Sequence, residues 1–206
     1  MSLFSLPTLM NGPRWKGRRV GLLGGSFNPP HEGHLHISLA ALKGLQLDAV
    51  WWLVSPQNPI KTLTPLPMQE RITLCEKLVD HPKILVSALE EALETSITYH
   101  SIRKLKTFYP DTHFVWISGM DNALNFHHWN FWQALLQEVC MVHLTRHPAR
   151  SLVKASPYRL YHRQKHVFID KGGFYPLESG MTYWMMQKKM VNLSSTEIRK
   201  RTENTA

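Results

Sequence analysis

Two histidines placed three residues apart are the strongest candidates for chemistry in this sequence. They belong to the stretch GGSFNPPHEGH, which runs from Gly24 to His34. The glycines let another molecule approach the backbone closely, and the amide groups at the start of a following helix attract an anion. His31 and His34 lie on one side of a turn and can donate hydrogen bonds to phosphate oxygens. The spacing also permits zinc, but no cluster of cysteines or carboxylates supplies further ligands, so we expect a phosphate site.

A second candidate anion site lies near the other end of the chain, in the stretch NLSSTEIR from Asn192 to Arg199. Ser194 and Glu197 have the spacing of a capping box, which predicts that a helix begins here. The amide groups and hydroxyls of its first turn can bind an anion, and Arg199 can hold a phosphate through two parallel hydrogen bonds.

Predicted strands and helices alternate in a way that would bring the loops together. The strands are predicted at 20–23, 49–54, 84–86, 114–117 and 140–144, and the helices at 35–45, 67–80, 96–108 or 98–108, 131–139 and 192–200. Between residues 148 and 192 the pattern is poor. The strands are continuously apolar, which is typical of parallel strands covered by helices on both faces. We therefore predict a doubly wound α/β fold with a mostly parallel sheet, in which ligands bind beyond the carboxyl ends of the strands.

Composition limits the class of protein. The chain has 206 residues and a formal net charge of +9, and 43% of its residues are hydrophobic. We divide it into an N-terminal extension, 1–19, and a single domain, 20–206. The longest apolar run is too short to cross a membrane, and two cysteines make no disulfide framework, so we expect a cytoplasmic protein without membrane contact. The positive charge attracts anions, which leaves nucleic acid open beside a small polyphosphate.

The motifs at both ends of the chain resemble those of one superfamily. The stretch from Gly24 to His34 resembles the Gly-Gly-Thr-Phe-Asp-Pro-x-His-x-Gly-His signature of the nucleotidyltransferases. Ser26 and Asn28 stand in place of its threonine and aspartate, and both keep the ability to form hydrogen bonds. NLSSTEIR resembles the Ile-Ser-Ser-Thr-x-Ile-Arg signature of the same superfamily. The resemblance implies a Rossmann-like nucleotidyltransferase fold.

Four intermediate segments resemble the nicotinate mononucleotide adenylyltransferase branch of that superfamily. They are SPQNPIK (55–61), TSITYHSIRKLK (95–106), WISGMDNALNFHHWNFW (116–132) and LTRHP (144–148). The resemblance implies that the phosphate of nicotinate mononucleotide attacks the α-phosphorus of ATP, so that pyrophosphate leaves and nicotinate adenine dinucleotide forms, a step of NAD biosynthesis. Mg²⁺ is expected with the polyphosphate. No covalent enzyme intermediate is implied, since a phosphate is already a charged nucleophile and the task is positioning and charge neutralisation.

The resemblance also implies roles for individual residues. The expected catalytic residues are His31, His34 and Arg199 at the ATP phosphates, and Lys61 at the phosphate of the mononucleotide. Further ATP contacts are expected from Gly24, Gly25, Ser26, Phe27, Ser194, Ser195 and Thr196. The expected mononucleotide contacts are Thr98, Asp121, Trp129 and Asn130. Trp129 would stack on the cationic pyridine ring, and backbone amides near Thr98 and Asn130 would bind its carboxylate. Asp121 would contact the ribose or polar groups of the mononucleotide.

Several alternatives stay open at this level. Nicotinamide mononucleotide carries a carboxamide instead of the carboxylate, and the sequence does not place the donors that would distinguish the two. Another phosphorylated acceptor is a further alternative. A protein that binds nucleic acid through a continuous basic face is less well supported, because the charge alone favours it. The sequence is compatible with a homo-oligomer.

Overall fold

A seven-stranded parallel sheet forms the centre of the protein. The computed structural model describes residues 2–56, 65–144 and 156–186. The strands are β1 Arg19–Gly25, β2 Ala49–Val54, β3 Ile84–Ser87, β4 His113–Gly119, β5 Cys140–Leu144, β6 Lys165–Ile169 and β7 Met181–Met185. The helices are α1 Glu32–Gly44, α2 Met68–Leu78, α3 Leu89–Ala92, α4 Thr98–Phe108, α5 Met120–Asn125 and α6 Trp132–Glu138. Three 3-10 turns span Gly12–Trp15, Phe126–His128 and Pro157–Leu160.

Burial on both faces explains why the strands are continuously apolar. In β2 and β5 every residue is buried, and both strands have the predicted bounds. Because side chains alternate along a strand, the sheet carries one hydrophobic core on each face. The first core packs under α3, α4, α5 and α6, and the second packs under α1 and α2. The predicted doubly wound architecture is confirmed.

The strand order creates a crevice at one point of the sheet. The order is β3-β2-β1-β4-β5-β7-β6, and all neighbouring pairs are parallel. From β1 the chain passes through α1 on the second-core face, whereas from β4 it passes through α5 and α6 on the first-core face. The loops after β1 and β4 therefore diverge, and such a switch point is where open α/β sheets bind ligands.

The two strands after residue 148 were missed by the pattern analysis. β6 lies at the edge of the sheet, and buried and exposed residues do not alternate regularly along it, since Lys165 and Phe168 are both exposed. β7 is fully buried, but its sequence MTYWM contains a threonine and two methionines instead of a run of branched aliphatic residues. Tertiary burial, more than intrinsic preference, places both segments in the sheet.

The segment before the predicted domain contributes to the core. β1 begins at Arg19, and Trp15 is only 1% exposed. The Trp15 ring packs edge-on against Trp51 of β2 with ring centres 4.7 Å apart, and it stacks against Phe4 at 5.2 Å. The extension therefore covers the first core on the face that α4 also covers.

Both cysteines, Cys75 and Cys140, are buried free thiols, as expected from their apolar surroundings. Within residues 2–56, 65–144 and 156–186, every helix falls short of what a membrane span requires in length and hydrophobicity.

Replacing Trp15 tests whether the extension stabilises the domain. Trp15→Ala leaves a large cavity against Trp51, and we expect the free energy of unfolding to fall by about 3–5 kcal/mol in urea titrations. Trp15→Phe is the matched control, because it keeps a ring at the contact and removes an indole N–H that is buried without a partner in the described part of the chain. Equal losses for both variants would contradict a packing role.

Candidate active site

The described candidate residues come from three segments at the carboxyl edge of the sheet. Gly24 and Gly25 end β1, Ser26 and Phe27 follow them, and His31 is the N-cap of α1. Asp121 lies in α5 directly after β4, and the Phe126–His128 turn leads to Trp129 and Asn130. Thr98 is the first residue of α4. These segments flank the switch point between β1 and β4.

The two imidazoles form the capping box of α1. The Gly33 amide donates to Nδ1 of His31 (3.1 Å), and the His31 amide donates to Nδ1 of His34 (3.2 Å). The ring centres are 3.8 Å apart. A ring nitrogen that accepts a hydrogen bond carries no proton, so the capped rings hold their proton on Nε2. Each histidine thus orients one Nε2–H donor while it satisfies a helix terminus.

Aromatic packing holds the loop between β1 and α1 in place. Phe27 is buried and has a φ of 46°, an unusual value for a residue with a side chain. Its ring stacks on Trp52 of β2 and lies 4.9 Å from the ring of His34. The strained backbone at Phe27 is therefore offset by burial of a large ring, and the same ring supports one of the imidazoles.

Gly24 connects the two sides of the crevice. A Cβ atom at this position would lie 2.7 Å from Cζ2 of Trp116, which is closer than real contacts allow. The Trp116 indole therefore fits against the bare backbone of β1. On its other side it meets the half-buried Trp129 edge-on, with ring centres 6.3 Å apart. The two predicted ligand-contacting segments are joined by a single buried indole.

The start of α4 faces the segment that carries Trp129. Tyr99 and His100 contact Phe131 with ring centres 5.3 and 5.2 Å apart. Of the two predicted starts of this helix, the structure has the later one, Thr98, and its N-cap is Ile97, which makes no side-chain cap hydrogen bond. The first amides of α4 thus lack a side-chain acceptor at that cap, and such groups are suited to bind an anion.

A buried serine–histidine pair lies beside Asp121, and the sequence analysis did not identify it. Oγ of Ser118 and Nδ1 of His143 are 2.7 Å apart on neighbouring strands. Burial is the main reason that the pKa of His143 is lowered to about 3, and nearby His166 lowers it further. Both residues are almost inaccessible, so this pair is not placed as a nucleophile and its base; it packs beneath α5.

Glu90 is a second titratable group that sequence reasoning missed. It lies in the short helix α3, is only 3% exposed, and accepts a hydrogen bond from Oγ of Ser101 (3.0 Å) in α4. Burial raises its pKa to about 7, and hydrogen bonds from Ser101 and Ser55 partly oppose the rise. The sequence gives no sign that this carboxyl is buried, because Glu90 stands beside another glutamate, Glu91, that is exposed.

Five predicted residues lie outside the described part of the chain: Lys61, Ser194, Ser195, Thr196 and Arg199. Their convergence with the two imidazoles stays a prediction.

A parallel sheet whose first strand ends in two glycines, followed by a helix that two imidazoles cap at the switch point, is the arrangement expected of a nucleotidyltransferase. The cytidylyltransferase-like family profile matches residues 22–201. A probable nicotinate-nucleotide adenylyltransferase of Ruegeria sp. strain TM1040 is 40% identical over 88% of this chain and 96% of the relative. A probable nicotinate-nucleotide adenylyltransferase of Cereibacter sphaeroides strain ATCC 17025 is 42% identical over 87% of this chain and 96% of the relative.

Solved structures agree on the fold. Plasmodium falciparum nicotinic acid mononucleotide adenylyltransferase complexed with APC is 18% identical with a TM-score of 0.65, and its complex with NaAD is 19% identical with a TM-score of 0.66. Both matches cover 89% of this chain and 83% of the other. The chain therefore belongs to the cytidylyltransferase-like family and, within it, to the group of nicotinate-nucleotide adenylyltransferases.

Gly24→Ala tests the close fit between β1 and Trp116. The added methyl group must displace a buried indole, and we expect the free energy of unfolding to fall by about 1–3 kcal/mol. Gly25→Ala is the control, because its Cβ would meet Phe27 at an ordinary 3.4 Å. Urea titration followed by circular dichroism measures both. A Gly24→Ala protein as stable as Gly25→Ala would contradict the proposed fit.

Glu90→Gln tests the buried carboxyl. Its folded pKa lies above the ordinary value of 4.5, so protonated Glu90 favours the folded state and stability is lost as pH rises through about 7. Between pH 5 and pH 8 the parent should lose about 2–3 kcal/mol of unfolding free energy relative to Glu90→Gln. The exposed neighbour provides the control, since Glu91→Gln should follow the parent at every pH. Parallel curves for parent and Glu90→Gln would refute the raised pKa.

Proposed function

We propose that this chain joins ATP and nicotinate mononucleotide to give nicotinate adenine dinucleotide and pyrophosphate, as a step of NAD biosynthesis. Relatives that carry this activity in their names match nearly their whole length at about 40% identity. The activity is transfer of an adenylyl group to a phosphate, which needs no nucleophile from the protein.

Continuity of the site across the switch point carries the proposal. The capped imidazoles lie after β1, Trp129 lies after β4, and Trp116 fits between Gly24 and Trp129. Two ligands bound on either side of this indole would meet above the ends of β1 and β4. A reaction between two phosphorylated molecules requires such an arrangement, because both must be held at one point.

On the ATP side, His31 and His34 donate from Nε2 to phosphate oxygens. Gly24, Gly25, Ser26 and Phe27 allow the backbone to approach the nucleotide. At an effective dielectric constant of about 20, two unit charges 4 Å apart repel each other by roughly 4 kcal/mol. The imidazole donors and the α1 amides oppose that repulsion, and Lys61, Arg199, Ser194, Ser195 and Thr196 are proposed to complete the charge neutralisation.

On the mononucleotide side, Trp129 stacks on the pyridinium ring. It is half-buried and is fixed by Phe126, with ring centres 5.1 Å apart, so one face can accept a cationic ring. The uncapped amides at Thr98 and the backbone at the exposed Asn130 bind the carboxylate. Asp121, at the start of α5, accepts hydrogen bonds from ribose.

Mg²⁺ is proposed to arrive with the triphosphate. In the described part of the chain, no three of the side chains that usually bind metals form a cluster. Mg²⁺ is commonly held by substrate phosphates, waters and one or two carboxylates, so an ion that arrives with the polyphosphate needs no dedicated protein cage. Bound there, it would neutralise charge on the leaving pyrophosphate. We place the reaction in the cytoplasm, because a reducing compartment suits two free thiols.

Variants that keep the helix cap test the imidazole donors. His31→Asn retains an N-cap acceptor, and His34→Gln retains a capping-box partner, while both lose the imidazole ring and the donor that it holds opposite the cap acceptor. We expect kcat for pyrophosphate release to fall on the order of 10²-fold with little change in melting temperature. His113→Ala, at the opposite end of β4, is the control. Parental kcat in His34→Gln would disprove the assignment.

The acid and amide mononucleotides distinguish the proposed substrate from its closest alternative. The Thr98 amides are donors, so the site should prefer the carboxylate of nicotinate mononucleotide. Pyrophosphate release is measured with each mononucleotide at equal concentration, with kcat/KM as the readout. A preference for the amide would reassign the substrate, and no release with either would contradict adenylyl transfer to a pyridine mononucleotide.

A further inference from the structure

Arg71 is a buried arginine that the proposed reaction does not use. It lies in the first turn of α2, and only 1% of it is exposed. No ion pair among the described residues involves it. A charge removed from water must find strong compensation, so the atoms around this guanidinium indicate what it does.

Four backbone carbonyl oxygens surround the Arg71 guanidinium. Its Nε donates to the oxygen of Leu66 at 2.8 Å. Its Nη1 donates to the oxygens of Ser26 and Ser55, each at 2.7 Å, and its Nη2 donates to Pro56 at 3.1 Å. Four of the five N–H groups are thereby accounted for in one planar fork.

These carbonyls join the candidate active site to the two stretches of chain that follow β2 and precede α2. Ser26 precedes Phe27, the residue with positive φ, and leads into the capped imidazoles. Ser55 and Pro56 directly follow β2, and Leu66 precedes α2, so they are the two described ends of the connection between these elements, here named the β2–α2 loop. The Leu66 amide also donates to Oδ1 of Asn28 at 3.4 Å, which joins this loop end to the first loop.

We propose that Arg71 is a positioning residue for the adenylyl transfer, which holds the β1–α1 loop and the two ends of the β2–α2 loop in one fixed arrangement. The inference rests on the proposed function. Because Arg71 is buried, it acts through its contact with the backbone of Ser26 and not by touching a substrate. The position of Ser26 in turn determines where His31 and His34 place their donors.

The geometry requires arginine specifically. A lysine ammonium is a point charge with three N–H groups and cannot reach four carbonyls that surround a planar fork. Arg71→Lys therefore leaves carbonyl oxygens unpaired and lets the two loops separate. A misplacement of about 1 Å can cost on the order of 10²-fold in rate, so we expect kcat to fall at least about tenfold.

Arg19 offers a matched control at the other end of β1. It is 8% exposed, and its Nη2 donates to the carbonyl oxygens of Leu45 (2.9 Å) and Tyr175 (2.7 Å). Arg19→Lys removes a similar buried fork far from the carboxyl edge of the sheet. Both variants should lose stability, whereas only Arg71→Lys should lose kcat.

The experiment measures pyrophosphate release at saturating ATP and nicotinate mononucleotide, well below each variant's melting temperature. Arg71→Ala is assayed with and without ethylguanidinium, which should restore part of kcat by refilling the fork. If Arg71→Lys does not fold, Arg71→Gln replaces it, because its amide still donates to two carbonyls.

Three results would overturn the positioning role. They are a folded Arg71→Lys or Arg71→Gln protein with parental kcat, an equal loss of kcat in Arg19→Lys, and ethylguanidinium that raises the melting temperature of Arg71→Ala without raising kcat. A parent that releases no pyrophosphate would instead contradict the proposed function, so the two failures are distinguishable.

Discussion

The amide groups at the start of α1 need hydrogen-bond acceptors, and the rest of the site depends on which side chains supply these acceptors. Nδ1 of His31 accepts from the Gly33 amide, and Nδ1 of His34 accepts from the His31 amide. Residues at these cap positions are usually serine, threonine or glutamate. Imidazole offers an acceptor on one side of the ring and a donor on the other, so the same two side chains cap the helix and keep a donor free of that cap.

A second constraint joins the two sides of the crevice. The Trp116 indole lies against Gly24 on one strand and against Trp129 beyond the next. If this indole shifts, Trp129, which is proposed to stack on the pyridine ring, moves relative to β1. The two imidazoles follow β1, so the distance between the two ligand-contacting segments changes. The parallel sheet explains why this works, because β1 and β4 are adjacent with a fixed register from Arg19↔His113 to Leu22↔Trp116. The packed core thus determines the spacing between the two segments proposed to bind the ligands.

Several features of the site could not have been read from local patterns. Arg71 lies in an amphipathic helix where an arginine is ordinarily exposed, and only the meeting of the β1–α1 and β2–α2 loops makes it buried. Glu90 and Glu91 are neighbours in sequence, yet one is buried against Ser101 and the other is exposed. β6 and β7 escaped prediction because their place in the sheet depends on the strands beside them, which a short window of sequence does not contain.

The sequence by itself determined the alternation of strands and helices from β1 to β5 and the motif that holds His31 and His34. Those signals are local, since a fully buried parallel strand needs a continuous apolar run and a helix start needs particular residues at particular spacings. Tertiary structure alone decided that Trp116 fits against Gly24 and that Arg71 gathers four carbonyls. Each of these depends on distances between segments far apart in the chain, and such distances are set by the packing of the whole sheet and its helices.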